Sequence, residues 1–144
     1  MHPQRGRFKL EKLSKYPHLR PEDVAIWERF IAAHPEAYDS VDYDVRVGEG
    51  APTPPEAPPE IADDFHTLTQ KRIDVVAHRP GEIWIIEVRP RADQTALGNL
   101  MGYRTLYQRQ FSPAETVKLM VITDRIGDDD RMIFMTAGVP VVVV

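Results

Sequence analysis

Two β-rich runs separated by a tight turn constrain this 144-residue chain more than any other feature. Ile73 to His78 comes first, then Arg79-Pro80-Gly81-Glu82, then Ile83 to Arg89. Adjacent proline and glycine demand a turn, so the runs predict a hairpin. On the first strand Ile73, Val75 and Ala77 form one face, and Asp74 and Val76 the other. The second strand is apolar on both faces through Ile83, Trp84, Ile85, Ile86 and Val88, the pattern of a strand in the middle of a sheet. Glu87 is embedded near its end, and a buried acid needs a partner. The hairpin can set the Asp74 and Glu87 carboxylates side by side, with Arg89 on the same face as Glu87. Two neighbouring carboxylates repel unless a cation lies between them, and oxygen ligands suit Mg²⁺ or Mn²⁺. Asp74, Glu87 and the carbonyl of Val88 are therefore candidate metal ligands. Such a cation would lower the pKa of a bound water and clamp a phosphate, with Arg89 neutralising charge in the transition state. The same residues could instead form plain ion pairs at a strand end, Glu87 with Arg89 or Asp74 with Arg72.

Around this hairpin the chain alternates helical and extended patterns. Pro21-Glu22-Asp23 reads as a helix start, with Val24, Trp27, Phe30 and Ile31 on one face and His34-Pro35 as its end. Val41, Tyr43, Val45 and Val47 alternate with Asp42, Asp44 and Arg46, which predicts a half-buried strand. Gly48 to Pro59 holds five prolines and two glycines and must be a loop or stiff spacer. Asp93 to Thr95 offers caps for a helix carrying Leu97, Leu100, Met101, Tyr103, Arg104 and Tyr107 to about Gln110. Thr116 to Thr123 reads as a central strand. Asp128 to Asp130 can cap a helix through Ala137 that stops at Gly138. Val139 to Val144 closes the chain as a strand, at an edge because of Pro140. The expected class is α/β, a mixed central sheet flanked by helices in one domain over residues 21–144, with a Pro-rich loop at 48–60.

Charge is segregated. Residues 1–20 carry six Lys/Arg against Glu11 alone, and residues 21–64 carry twelve Asp/Glu against Arg29 and Arg46. Isolated apolar positions at Phe8, Leu10, Leu13 and Tyr16 predict that residues 1–20 form a basic arm rather than core. Arg5, Arg7, Lys9, Lys12 and Lys15 on the arm, with Arg91 and Arg104 beyond it, are candidate phosphate contacts. A solvated tail pairing with the chain's own acidic segment is the alternative. The chain has no cysteine, which excludes disulfides, zinc-thiolate sites and thiol nucleophiles. It has neither a membrane-length apolar run nor a signal-peptide pattern, so no membrane partner is expected and the location is cytoplasmic or, for a viral component, the virion. His2, His18, His34, His66 and His78 show no metal-ligand spacing, no G-x-S-x-G is present, and Asp128-Asp129-Asp130 lacks the calcium-loop pattern.

The order helix, strand, Ile73-Asp74 strand, Glu87-Val88-Arg89 strand, then a helix with Asn99-Leu100-Met101-Gly102-Tyr103 resembles the PD-(D/E)xK nuclease superfamily, closest to its RecB-like and Holliday-resolvase-like branches. The resemblance implies a restriction-endonuclease-like αβββαβ core and metal-dependent phosphodiester hydrolysis. Asp74 and Glu87 would be its metal-binding acids, and Asn99 and Tyr103 would match its Gln-x-x-x-Tyr. Glu22 or Glu28 would be its helix-one acid. Arg89 stands where the superfamily's catalytic lysine stands. Arginine stays charged and presents a planar fork, so that exchange is not conservative. Asn99 is one methylene shorter than glutamine.

Two functions follow from this. The first is a Mg²⁺- or Mn²⁺-dependent DNA nuclease. The second is a non-catalytic scaffold, because the segment PEDVAIWERFIAAHPEAYDSVDYDVRVG looks similar to small proteins of tailed bacteriophages. Its role would then be that of a virion component at the head–tail junction or tail, or of an assembly protein. Its basic arm and Pro-rich loop would contact other copies or virion proteins.

Overall fold

The structure is a computed structural model that describes residues 5–144; the first four, His2 among them, lie outside the described residues. In chain order the elements are α1 (Pro21–Ala33), β1 (Ser40–Val47), α2 (Pro59–Thr69), β2 (Lys71–Arg79), β3 (Glu82–Val88), α3 (Gln94–Phe111), β4 (Thr116–Thr123), α4 (Asp128–Ala137) and β5 (Val141–Val143). The strands form one mixed sheet in the order β1-β2-β3-β4-β5. β1, β2 and β3 are antiparallel neighbours, while β3, β4 and β5 run parallel. The expected α/β class is thus the observed one. Every residue from Ile83 to Val88 is buried, which is why β3 tolerates no polar face except at Glu87. Pro140 precedes β5, which is an edge strand as expected.

The sheet carries a core on each side. One holds Ile26, Trp27, Phe30 and Ile31 of α1 against Val41, Tyr43, Val75, Ala77, Trp84, Ile86 and Val88. The other holds Ala96, Leu97, Leu100 and Tyr107 of α3 with Phe134 of α4 against Val45, Ile73, Val76, Ile83 and Ile85. Within α1, Ile26 is buried and Val24 only partly so, which turns the expected stripe by a fraction of a turn. The Trp27 indole donates to the Tyr43 hydroxyl at 3.0 Å, so this large ring enters the core with its polar atom satisfied.

One correction concerns the face assignment of β2. Ile73 packs on the opposite side of the sheet from Val75 and Ala77, and Val45 lies opposite Tyr43 in the same sense. Asp44, with φ +55°, causes the reversal. The β1–β2 ladder pairs Tyr43 with Val75 and Val45 with Ile73 but skips the step between them. A left-handed residue there rolls both strands over, and Asp is among the few side chains that tolerate it.

A second correction concerns the N-terminal arm. Leu10 and Tyr16 are buried, and Phe8, Leu13 and Leu19 pack against the α1 side of the core. Phe8 exchanges backbone hydrogen bonds with Val41 at 3.1 and 2.8 Å, extending the sheet. Asp42 accepts the Gly6 and Arg7 amides at 2.8 and 2.9 Å and pairs with His78 at 2.9 Å. An irregular segment has no period, so its few apolar anchors looked isolated in the sequence. The helix α2 was also unforeseen. It starts at Pro59, inside the Pro-rich stretch, and exposes two of its apolar residues, Ile61 and Leu68. Asp93 caps α3 through the Thr95 amide at 3.0 Å as expected. Asp128 to Asp130 instead fill the first turn of α4 behind Gly127, and Asp130 accepts the Gln94 amide at 2.9 Å, tying α4 to α3.

Burial alone would raise the Asp42 pKa, but His78 and the two amides outweigh it and hold the carboxyl below the usual range. A depressed pKa means stability that is present above the unfolded value, about 4, and lost as pH falls through the folded one. Asp42→Ala leaves three partners unpaired and should cost about 2–4 kcal/mol in urea unfolding. It should also abolish the slow hydrogen exchange of the Gly6 and Arg7 amides and flatten the acid limb of the stability profile.

Candidate active site

The parallel pairing of β3 with β4 and its antiparallel pairing with β2 diverge at the end of β3, and the divergence builds a cleft. Pairing of β2 with β3 ends at Val75–Ile86; one further step in that register would set Asp74 opposite Glu87. There the ladder opens, and the Val88 amide donates to Asp74 Oδ2 at 3.1 Å instead of to backbone. One residue later the Arg89 amide donates to the Ile122 carbonyl at 3.1 Å, following β4. The resulting cleft, about 380 Å³, is lined by Asp74, Glu87, Val88, Arg89 and Pro90 from the hairpin. Arg72 from β2, Tyr103 from α3, and His18, Arg20, Glu22 and Asp23 at the start of α1 complete it.

Glu87 is 8% exposed, and its Oε2 is buried without a hydrogen-bond partner. The Arg89 guanidinium stands 3.9 Å from that oxygen, an electrostatic contact too long for a hydrogen bond. Burial and the neighbouring Asp74 push the Glu87 carboxyl up to about 7, against opposing pulls from Arg89 and Asn99. Burial also pushes Asp74 up to about 6; the Val88 amide opposes this, Asp23 and Asp44 add to it, and Arg89 opposes it. Asp23 is raised as well, chiefly by burial. Tyr103 is pushed up to about 12 by burial and by the fields of Glu87 and Asp74. The cleft therefore holds carboxyl groups whose charged forms are disfavoured first by burial and then by one another. Arg72 does not relieve Asp74, because both its Nε and Nη2 are committed to Asp44 at 2.7 Å. The plain ion-pair alternative thus fails for Asp74 and is weak for Glu87.

Asp74, Glu87, Val88, Arg89 and Tyr103 come together as the sequence implied, and Asn99 lies near enough to Glu87 to lower its pKa. Of the two helix-one acids, Glu22 lines the cleft, whereas Glu28 accepts the Tyr16 hydroxyl at 2.8 Å away from it. Asp23, His18 and Arg20 were missed as cleft residues; Arg72 was read only as a possible partner of Asp74, and Asp44, its actual partner, only as a polar strand position. The first-turn position of Asp23 was visible, but helical phase alone does not say which first-turn acid faces the sheet. The role of Asp44 depends on a backbone reversal that no pattern announces.

The candidate phosphate contacts divide. Arg5 pairs with Glu115 and Arg7 with Asp42 at 3.6 Å. Glu115 adjoins Thr116, which pairs with Glu82 at the far end of β3. That end lies roughly 16 Å from Glu87 at about 3.3 Å per residue. Arg5 therefore does not serve the cleft, and Arg7 is held by the chain's own acid. Lys9, Lys12 and Lys15 are exposed on the same segment, and Arg104 is half-buried on α3. Arg91 is exposed and lines a neighbouring hollow with Asp93, Arg125 and Asp130. A larger hollow, about 520 Å³, lies elsewhere, among Gly48, His66, Leu106 and Arg109, and contains no carboxylate pair.

Among the described residues no three His, Cys, Asp or Glu side chains converge closely enough to form a protein-only metal cage. Two carboxylates, one with a buried unpartnered oxygen, still fit Mg²⁺ or Mn²⁺, since Mg²⁺ usually keeps several waters and takes one or two carboxylates. No helix among the described residues is long and apolar enough to cross a membrane. In comparisons with known proteins, no family model, curated protein or solved structure matches this chain.

A carboxyl whose folded pKa is raised keeps its proton in the folded state at a pH where the unfolded chain has lost it. For Glu87 that window runs from 4.5 to about 7, and for Asp74 from 3.8 to about 6. Without divalent cations, stability should therefore rise as pH falls from 8 toward 5 in denaturant titrations. Glu87→Gln should stabilise the cation-free protein at pH 8 by about 1–3 kcal/mol and weaken the pH dependence. A variant less stable than the native protein at pH 8 would contradict this account of the cleft.

Proposed function

We propose that the protein is a nuclease-related phosphodiesterase of PD-(D/E)xK type, with Asp74, Glu87 and Val88 holding Mg²⁺ or Mn²⁺ and DNA as its substrate class. The observation that carries this reading is the buried, unpartnered Glu87 Oε2 beside Asp74 at the end of the central strand. When bound, the cation supplies the Lewis acid that lowers the pKa of water and offsets phosphate charge. The protein's own groups do the rest. The Val88 amide fixes one oxygen of Asp74, leaving the other available to the cleft. Asn99 acts on Glu87 and steadies its carboxylate. The planar guanidinium fork of Arg89 matches two phosphate oxygens, so its part is charge neutralisation. Tyr103, held neutral, can donate a hydrogen bond to a phosphate or water in the cleft. Arg20 at the rim can contact the flanking backbone, which fixes position but carries no sequence information.

A second reading is a non-catalytic bacteriophage structural or assembly protein that keeps the fold as a scaffold. One observation favours it: Arg5 and Arg7 of the basic segment are paired with the chain's own Glu115 and Asp42.

Linear, supercoiled and single-stranded DNA incubated with the purified protein and Mg²⁺ or Mn²⁺ separates the two. Metal-dependent cleavage is expected, reduced at least about a hundredfold by Glu87→Ala. Arg89→Ala should fall below Arg89→Lys. No cleavage by the native protein, by Arg89→Lys or with either metal would overturn the enzymatic reading and leave the scaffold.

A further inference from the structure

His18 lines the carboxylate cleft with its backbone in the left-handed region, at φ +67°. That conformation strains most residues other than glycine, and Asn, Asp and His bear it best. The chain holds it from both sides. Tyr16 is buried, and its hydroxyl accepts the Leu13 amide at 3.0 Å and donates to Glu28 at 2.8 Å. Leu19 packs on the α1 side of the core, and Pro21 starts α1 two residues later. Strained residues persist only where their surroundings fix them, and they cluster at active sites, ligand clamps and switches. Among the described residues no hydrogen bond, ion pair or ring contact engages the imidazole, which faces the cleft with both nitrogens free.

His18 also reaches the cleft from its own side of the sheet. Leu13 and Leu19 on the same segment pack with α1 on one face, whereas α3, which carries Asn99 and Tyr103, packs on the other. Displacement at phosphorus runs in line, so the attacking and leaving oxygens need groups on opposite sides of one phosphate. The leaving oxygen also needs a proton. Asp74 and Glu87 are committed to the cation in the proposed site. Arg20, Arg72 and Arg89 bring charge only, because a guanidinium does not give up its proton in proteins. The Tyr103 hydroxyl is pushed up to about 12, too weak an acid to serve near neutrality. Imidazole is the side chain suited to giving a proton there, whereas carboxyls such as Glu22 and Asp23 ordinarily have none to give.

On the nuclease reading of the cleft, we propose that His18 is its general acid, protonating the sugar oxygen that leaves phosphorus. The oxygen of water bonds to phosphorus, and its proton passes to solvent. The bond from phosphorus to the leaving oxygen breaks, its electron pair stays on that oxygen, and the His18 imidazolium supplies the proton. The products are a phosphate monoester and a sugar hydroxyl, and His18 regains its proton from solvent.

Two variants separate this role from a structural one. His18→Asn keeps a side chain that tolerates the left-handed backbone but has no acidic proton, and His18→Gly relieves the strain outright. Each is assayed on ordinary DNA and on oligonucleotides with sulfur in place of one bridging oxygen, on the 3′ side in one and the 5′ side in another. A thiolate leaves without protonation. On ordinary DNA both variants should lose about a hundredfold or more in kcat, with thermal unfolding no lower than that of the native protein. On the oligonucleotide whose sulfur takes the leaving position, both should recover to within about tenfold of the native protein. Ordinary DNA cleaved by both variants at the native rate overturns the proposal and leaves the nuclease reading standing. An equal loss on oxygen and sulfur substrates also overturns it, and would make His18 a phosphate contact only. No cleavage of any substrate by the native protein, with Mg²⁺ or Mn²⁺, ends the nuclease reading and this inference with it.

Discussion

Two like-charged carboxylates in low dielectric at the end of the central strand are the constraint around which the rest of the structure is arranged. A buried acid on β3 is unfavourable alone, and a second acid beside it more so. The fold does not remove this tension. It satisfies one oxygen of Asp74 with the Val88 amide and sends Arg72 to Asp44, leaving Glu87 Oε2 buried without a hydrogen bond. Asp23 on α1 adds a third negative charge at the mouth of the cleft. A structure selected for stability alone would place an arginine fork directly on Glu87, yet Arg89 stands off at 3.9 Å. Perturbed carboxyl groups of this kind cluster at functional sites, though structural ion-pair networks produce them too.

The surrounding architecture explains how the strain is held. β3 lies between an antiparallel and a parallel neighbour, so its end is where the two ladders must part. The parting exposes side chains that would otherwise be sealed within a sheet. The reversal at Asp44 and Asp74 adds to this by turning β1 and β2 over beside the cleft. Cores on both faces fix the strand ends in place, with Tyr43 and Trp27 on one side and Leu100 and Tyr107 on the other. The segment that precedes α1 closes the near wall through His18 and Arg20, and its buried Leu10 and Tyr16 anchor it there.

The hairpin, the central position of β3, the edge position of β5 and bounds such as Pro21 for α1, Thr116 and Thr123 for β4 and Ala137 for α4 were legible because periodicity and turn chemistry are local signals. Asp74 and Glu87 were legible because acids in apolar strands are rare. The buried N-terminal segment and α2 were not. Leu10 and Tyr16 act through tertiary contacts that leave no period, and α2 exposes two of its few apolar residues after a proline run. Asp23 and Asp44 escaped for a related reason. Their importance comes from helix phase and from one left-handed residue, and each is decided only when the elements pack.

Titration of Mn²⁺ against the protein near pH 7.5, with free ion followed by electron paramagnetic resonance, addresses the carboxylate pair directly. One saturable Mn²⁺ per chain is expected, lost in both Asp74→Asn and Glu87→Gln, with competition by Mg²⁺. Absence of saturable binding, or binding unchanged in both variants, would contradict it and mean that the buried charge pair serves no cation.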